Sequence, residues 1–342
     1  MALALALAMA LAALPRDDLA GVSTLRDTVF IHSNQKQRLG ALVSAFSLKA
    51  RSSAPEDFDV QILWAEDFPF IATRDGQVYL REGRRVVWTR DDLQSFTPIR
   101  FAIPHAMENE GRAVVIDPDV FAVGDVRELL QREMGGHSVL AKRMPADGRK
   151  PMHWASSVML LDCSRLGHWR CEEDFGRLFA FERDYVDWMW LLLEPEETVG
   201  LLEEQWNHFD TLDTTTKLLH NTHRRTQPWK TGLPADFTPR GRHHEGANPS
   251  LLARLRASFR GEQAGPRGRY KRHPDPTQEQ FFFSLLRECL AEGAITRALV
   301  EEEIERCHVR RDALSLVESA KGSRASASLP RTAVDRRQGA QR

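Results

Sequence analysis

The chain has 342 residues, of which 42% are hydrophobic, so it is globular in composition and long enough for one large core or two. Its 47 Lys and Arg against 48 Asp and Glu give a net charge of −1. This balance excludes a general attraction to nucleic acid or acidic membranes, and any basic surface must be local.

Residues 1–25 begin with an apolar run that ends before Arg16, and this run is too short to span a bilayer comfortably and lacks the basic start of a secretory signal. We interpret residues 1–25 as a frayed helix or a mis-set start, and expect no transmembrane span; peripheral membrane contact stays open. The four cysteines form no CxxC pair, which is typical of reduced structural thiols and favours a cytoplasmic protein.

Apolar strands alternate with helical patterns from residue 26 to residue 239. Strands are predicted at 29–31, 60–64, 113–116, 138–141 and 157–162, with a helix at 37–49. This alternation predicts an α/β fold with a mostly parallel sheet covered by helices on both faces. In the aromatic-rich helical pattern at 175–193, we expect Tyr185, Trp188 and Trp190 to pack in the core.

The composition changes after residue 239. Gly, Arg and Pro are frequent in 240–276, which predicts a linker or mobile flap. Apolar spacing returns in 277–320 and predicts a helical appendage, whereas 321–342 is polar and is predicted to be disordered.

Asp117 and Asp119 follow a strand of β-branched residues, with Pro118 between them. Their side chains point the same way only if extended geometry persists through Pro118. Ligands of open α/β sheets bind at such strand ends, and two carboxylates plus diphosphate oxygens suit Mg²⁺ or Mn²⁺. The pair therefore indicates metal-assisted nucleotide chemistry, although a solvated turn would also carry two aspartates.

A second polar cluster follows the strand-like run that ends at His220. Its imidazole could complete the metal site, and Arg224, Arg225 or Lys230 could neutralise diphosphate oxygens. A satisfied core or turn histidine is the structural alternative for His220.

From about residue 29 to residue 234 the sequence resembles glycosyltransferase family 8, the retaining GT-A enzymes. Several segments match in the family's order: the 31–34 strand end, 100–104, IDPDVFAVGDVREL, SSVMLLD, Trp206-Asn207 and the loop from His220 to Trp229. Trp206-Asn207 is equally consistent with a structural turn.

The resemblance implies a GT-A, Rossmann-like fold and roles for individual residues. It implies that Asp117 and Asp119 form the Asp-x-Asp motif and that His220 is the third metal ligand. The remaining implied contacts of the nucleotide sugar are with Ile31, Ser33, Asn34, Arg100, Ser156 and Ser157. The chain departs from the family at 155–157, where Asn-Ser-Gly is common, and at Gln227, where a Lys is common; Lys230 is the candidate substitute.

The implied reaction moves a hexose, from UDP-glucose or UDP-galactose, to an acceptor hydroxyl with retention and with Mn²⁺ or Mg²⁺ as cofactor. The acceptor, whether glycan, lipid-linked sugar or protein, is not specified by the sequence. The leaving diphosphate can itself take the acceptor's proton, so no catalytic side chain is assigned; Asp184 and Asp187 are placed near the sugar only roughly.

Two other classes of function remain open. An aspartate-nucleophile phosphatase also places Asp-x-Asp after an apolar strand, although Phe121 stands where a small hydroxyl residue is expected. A binding module could use the arginine-rich stretch 254–272 on RNA or another polyanion, with Phe259 and Tyr270 interleaved.

Overall fold

The computed structural model describes residues 26–148, 150–223, 225–237 and 268–320. The predictions for 1–25, for 321–342, for most of 240–276 and for Arg224 lie outside the described residues. Within them, no helix combines the length and apolar character needed to cross a bilayer. Cys163, Cys171 and Cys289 are buried free thiols, and Cys307 is exposed.

Eleven strands lie in the described part of the chain. They are β1 (Thr28–Ser33), β2 (Asp59–Trp64), β3 (Val78–Arg81), β4 (Arg84–Val87), β5 (Arg112–Ile116), β6 (Val120–Ala122), β7 (Val139–Met144), β8 (His153–Asp162), β9 (Val199–Leu201), β10 (His208–Phe209) and β11 (Leu218–His220).

The described α-helices lie between and after these strands. They are α1 (Arg38–Ala50), α2 (Pro69–Thr73), α3 (Ile103–Ala106), α4 (Arg127–Leu130), α5 (Cys171–Phe179), α6 (Tyr185–Met189), α7 (Pro276–Ala291), α8 (Arg297–Glu305) and α9 (Ala313–Ser319).

A six-stranded sheet in the order β2-β1-β5-β8-β7-β9 forms the centre of the molecule. The β2–β1, β1–β5 and β7–β9 pairs are parallel, whereas β8 is antiparallel to both β5 and β7. Strand β8 follows β7 after a short connection, and a short connection joins only antiparallel neighbours. The sheet is thus parallel except at β8.

Both faces of this sheet are covered, as the continuous apolar strands predict. Alternate residues of β1 enter different clusters: Phe30 packs with residues of α5 and α6, whereas Val29 and Ile31 pack with residues of α1 and α4. The predicted α/β class with helices on both faces is confirmed.

A smaller sheet in the order β10-β11-β6 lies beside the end of β5. Strands β11 and β6 are antiparallel, and the register sets His220 opposite Val120. Helix α1 supports this sheet, because Ser44 Oγ donates to Val120 O (2.6 Å) and Ser47 Oγ accepts from Ala122 N (2.9 Å).

The helical C-terminal part is confirmed and packs on the same side as α1. Phe282 of α7 stacks on Trp229 with ring centroids 4.7 Å apart and contacts Phe121 edge-on at 5.5 Å. Arg38 of α1 pairs with Glu302 and Glu303, and Arg51, which directly follows α1, pairs with Glu288. The division into a catalytic domain and an appendage stays a prediction.

Candidate functional site

Asp117 and Asp119 stand in a turn between β5 and β6. Asp117 N donates to Ser157 O (2.9 Å). Val120 N donates to Asp117 O (3.2 Å), which closes the turn. The expected extended path through Pro118 is therefore replaced by a turn, and this turn still directs both carboxylates into one cleft.

The β11–β6 pairing brings His220 to these carboxylates. Its Nε2 lies 3.4 Å from Asp119 Oδ1 and 4.0 Å from Asp117 Oδ2. The three candidate ligand atoms all lie within 4.8 Å of one another, and the three side chains are mostly buried. The structure thus brings together the three residues that the sequence proposes as metal ligands.

Asn207 fixes the orientation of the His220 ring. His220 Nδ1 donates to Asn207 Oδ1 (2.8 Å), and Asn207 Nδ2 donates to Ser157 Oγ (3.0 Å). Asn207 is fully buried. Metal-bound histidines commonly donate their second ring N–H to such a partner, which leaves the other nitrogen free for an ion.

One oxygen of Asp117, Oδ1, is held by Arg100 and His32. Asp117 Oδ1 accepts from Arg100 Nη2 (2.9 Å) and lies 2.8 Å from His32 Nε2. Burial raises the pKa of Asp117, but Arg100 and His32 outweigh burial and bring this pKa down to about 2. Asp117 is therefore ionised at neutral pH, with Oδ2 facing His220.

His32 was a strand-end residue without an assigned role in the sequence, and it belongs to this network. Burial lowers the pKa of His32, and the charge of Arg100 lowers it further. Burial also lowers the pKa of His220, but the hydrogen bond with Asp119 and the charges of Asp119 and Asp117 together raise it. The neighbours of His32 thus favour its neutral form, whereas the neighbours of His220 favour its protonated form.

The donor set fits a divalent cation. Two atoms bound to one ion at about 2.1 Å each lie at most about 4.2 Å apart, and the separations of 3.4 and 4.0 Å from His220 satisfy this limit. The two carboxylates suit Mg²⁺ or Mn²⁺, and the imidazole adds a nitrogen ligand.

The triad opens into a cleft of about 290 Å³. Arg100, Ser156 and Ser157, all predicted near the nucleotide sugar, line it. Arg100 also donates to Ser156 Oγ, and Ser156 Oγ donates to Met189 O (2.5 Å). These residues form a connected wall that begins at Asp117.

Aromatic residues also line the cleft. Tyr185 and Trp188 are buried in the core, as expected, but Tyr185 also reaches the cleft. Trp190 is half-buried, lines the cleft and stacks on His153 with ring centroids 4.0 Å apart. His153 and Trp154 also line the cleft, and no periodic pattern in the sequence points to them, because residues from separate elements line this cleft.

Ile31, Ser33 and Asn34 do not line the cleft. Ile31 is in the hydrophobic core, and Ser33 and Asn34 are buried. Asn34 Nδ2 donates to Leu93 O (3.1 Å) and Ser95 Oγ (3.2 Å), so the segment 93–95 covers this strand end. A nucleotide contact with these side chains requires movement of that segment and stays a prediction.

Lys230 is also turned away from the cleft. It is fully buried and donates to Asp236 Oδ2 (2.9 Å), and burial lowers its pKa. Gln227 occupies the cleft instead, where its Nε2 donates to Asp119 Oδ2 (3.0 Å). Arg225 lies 6.0 Å from the ring of Phe237 and does not line the cleft.

No protein-family model matches the chain, and no curated protein matches its sequence. Solved glycosyltransferases are similar in structure. GlyE of Streptococcus pneumoniae TIGR4 is 16% identical with a TM-score of 0.43, covering 60% of this chain and 56% of that one. The bifunctional WbbM in its apo form is 14% identical with a TM-score of 0.42, covering 62% and 48%.

The galactosyltransferase LgtC, solved with donor and acceptor sugar analogues, is 14% identical with a TM-score of 0.39, covering 59% of this chain and 89% of that one. The chain spans about half the length of the GlyE and WbbM structures. At these scores, the likeness by itself carries no argument about activity.

Proposed function

We propose that this protein is a metal-dependent glycosyltransferase that moves a sugar from a nucleotide diphosphate donor to an acceptor hydroxyl. The observation that carries the proposal is the convergence of Asp117, Asp119 and His220 at the end of β5, on one wall of a cleft. The sequence supports it independently, because these residues match the Asp-x-Asp motif and its histidine in the order that family 8 shows.

Asp117, Asp119 and His220 would hold the divalent cation. When bound, such a cation stabilises the negative charge that develops on a leaving diphosphate. Arg100 keeps Asp117 ionised and oriented, and Asn207 holds His220 in the tautomer with a free Nε2. These residues are in place before a substrate arrives, so little reorganisation is needed.

The finer assignments rest on the resemblance. We infer a GT-A enzyme of family 8 that acts with retention, uses UDP-glucose or UDP-galactose with Mn²⁺, and works in the cytoplasm. Asp184 is a structural anchor, since its carboxylate accepts from the backbone of 82–83 and 186. No protein side chain is assigned as nucleophile.

The test is release of UDP from a panel of nucleotide sugars with Mn²⁺, without Mn²⁺ and after chelation. We expect slow metal-dependent release from one or two donors, lost at least about 100-fold in Asp119→Ala because the metal loses a charged ligand. Asp213→Ala, which removes an exposed carboxylate outside the cleft, is the matched control and should behave as wild type.

Equal release with and without metal would contradict the proposal. Hydrolysis of a generic phosphoester without any release of UDP from nucleotide sugars would favour the phosphatase alternative. Retention of RNA at low salt that survives Asp119→Ala would favour the polyanion-binding alternative, whose basic stretch lies largely outside the described residues.

A further inference from the structure

Two cationic side chains, Arg81 and Arg100, are among the described residues that line the cleft. Arg100 is already committed, because it donates to Thr97 O (3.0 Å), to Ser156 and to Asp117. Among the described residues, no carboxylate oxygen lies within ion-pair distance of Arg81, although Glu82 beside it also lines the cleft. Arg81 therefore holds the uncommitted positive charge of this cleft.

A structured hairpin presents Arg81. Strands β3 and β4 pair antiparallel, with Arg81 opposite Arg84, and the two turn residues Glu82 and Gly83 both have positive φ. Asp184 accepts from Glu82 N (3.0 Å) and Gly83 N (2.8 Å) while it caps α6 through Val186 N (2.7 Å). One carboxylate thus fixes the hairpin tip to the helix that carries Tyr185.

Two tyrosine side chains hold the guanidinium of Arg81 in place. Its Cζ lies 4.6 Å above the ring of Tyr185, and Nη1 donates to Tyr79 OH (3.4 Å). Arg81 is half-buried. Stacking on an aromatic face and the hydrogen bond orient the guanidinium, and a ligand oxyanion would add a charge-assisted contact to it.

Arg81 is linked to the metal triad through Tyr185 and Arg100, and all of these residues line the same cleft. The connection runs from Asp117 to Arg100, then through Thr97, whose hydroxyl contacts Tyr185 OH, and then to the ring beneath Arg81. A donor held by the triad and extending along the cleft would bring its remaining oxyanions toward this guanidinium.

We propose that Arg81 binds an oxyanion of the donor, either a diphosphate oxygen or a carboxylate on the transferred sugar. This inference rests on the proposed function. An arginine fits both sources because its planar fork matches phosphate and carboxylate geometry.

The test is calorimetric titration with Mn²⁺ of UDP, UDP-glucose and UDP-glucuronate into wild type, Arg81→Gln and Arg81→Lys. We expect Arg81→Gln to weaken binding of at least one probe by about tenfold, the size of one lost charge-assisted contact, and Arg81→Lys to restore part of it. Equal weakening of all three probes identifies the diphosphate, and weakening of UDP-glucuronate alone identifies a sugar carboxylate.

Arg85→Gln is the matched control, because Arg85 is on the same hairpin, is exposed and stacks on Phe181 at 4.5 Å outside the cleft. Binding of every probe by Arg81→Gln as tightly as by Arg85→Gln would overturn the inference while leaving the proposed function intact. Failure of wild type to bind UDP with Mn²⁺, or undiminished binding by Asp119→Ala, would overturn both.

Discussion

Neutral side chains orient the three candidate metal ligands, Asp117, Asp119 and His220. Asn207 is the main example, since its amide receives the His220 Nδ1–H and donates to Ser157 on β8. Gln227 has the same relation to Asp119 through a hydrogen bond of 3.0 Å. Such supporting groups determine which atom of each ligand faces the ion.

Removal of the Asn207 amide should weaken metal binding without removing a ligand. In Asn207→Ala, His220 loses the acceptor that holds its proton on Nδ1, and we expect the affinity for Mn²⁺ to fall by about tenfold or more. Titration of Mn²⁺ with and without UDP measures this. Gln131→Ala, at an exposed position, is the control, and an unchanged affinity in Asn207→Ala would show that the ring needs no such support.

Helix α1 packs unusually closely against the turn 117–119, which carries two of the candidate metal ligands. A Cβ on Gly40 would lie 2.9 Å from Pro118 O and 3.0 Å from the Trp229 ring. Glycine inside a helix ordinarily costs stability, so its presence here reflects this close approach of the helix to the turn that carries Asp117 and Asp119.

Gly40→Ala should therefore be destabilising, although alanine is the better helix former. We expect a loss of about 1–3 kcal/mol of unfolding free energy from overpacking and a weaker Mn²⁺ affinity, because Pro118 must move. Gly176→Ala in α5 is the matched control: its Cβ would meet Arg74 at an ordinary 3.6 Å, and a small gain in stability is expected. Denaturant unfolding compares the two, and a stabilised Gly40→Ala would count against the close contact.

At the scale of the whole molecule, the C-terminal helices share a core with the rest of the fold. Phe282, Trp229 and Phe121 form one aromatic cluster, and Arg310 N donates to Trp229 O (2.8 Å). Arg310 also pairs with Glu279 at 2.7 Å. Because Phe121 belongs to the strand that follows Asp119, these helices support the site from behind.

Phe282→Ala should lower the stability of the whole protein by about 3–5 kcal/mol, since it leaves a cavity between α7, Trp229 and Phe121. We expect one cooperative unfolding transition, shifted to lower denaturant concentration, as for a single folding unit. Leu201→Ala, at a position that is 61% exposed, should change little. Two separate transitions in wild type would show that the appendage folds independently.

Local features can be read from the amino-acid sequence alone: the apolar strands, the helices between them and after residue 276, and the two carboxylates that follow β5. These depend on side-chain alternation and helical spacing between near neighbours. The resemblance also placed His220 with the aspartates, whereas a histidine after an apolar strand is, by itself, more typical of a core or turn residue.

Which of the predicted site residues lie together follows from the folding of the whole chain. Pairing of β11 with β6 carries His220 to Asp119, the 93–95 segment covers Asn34, and Asp236 draws Lys230 into the interior, leaving Gln227 in the cleft. The same folding placed Arg81 above Tyr185. The physical reason is that these contacts join segments far apart in the chain, whose direction and burial are set by packing and not by local sequence periodicity.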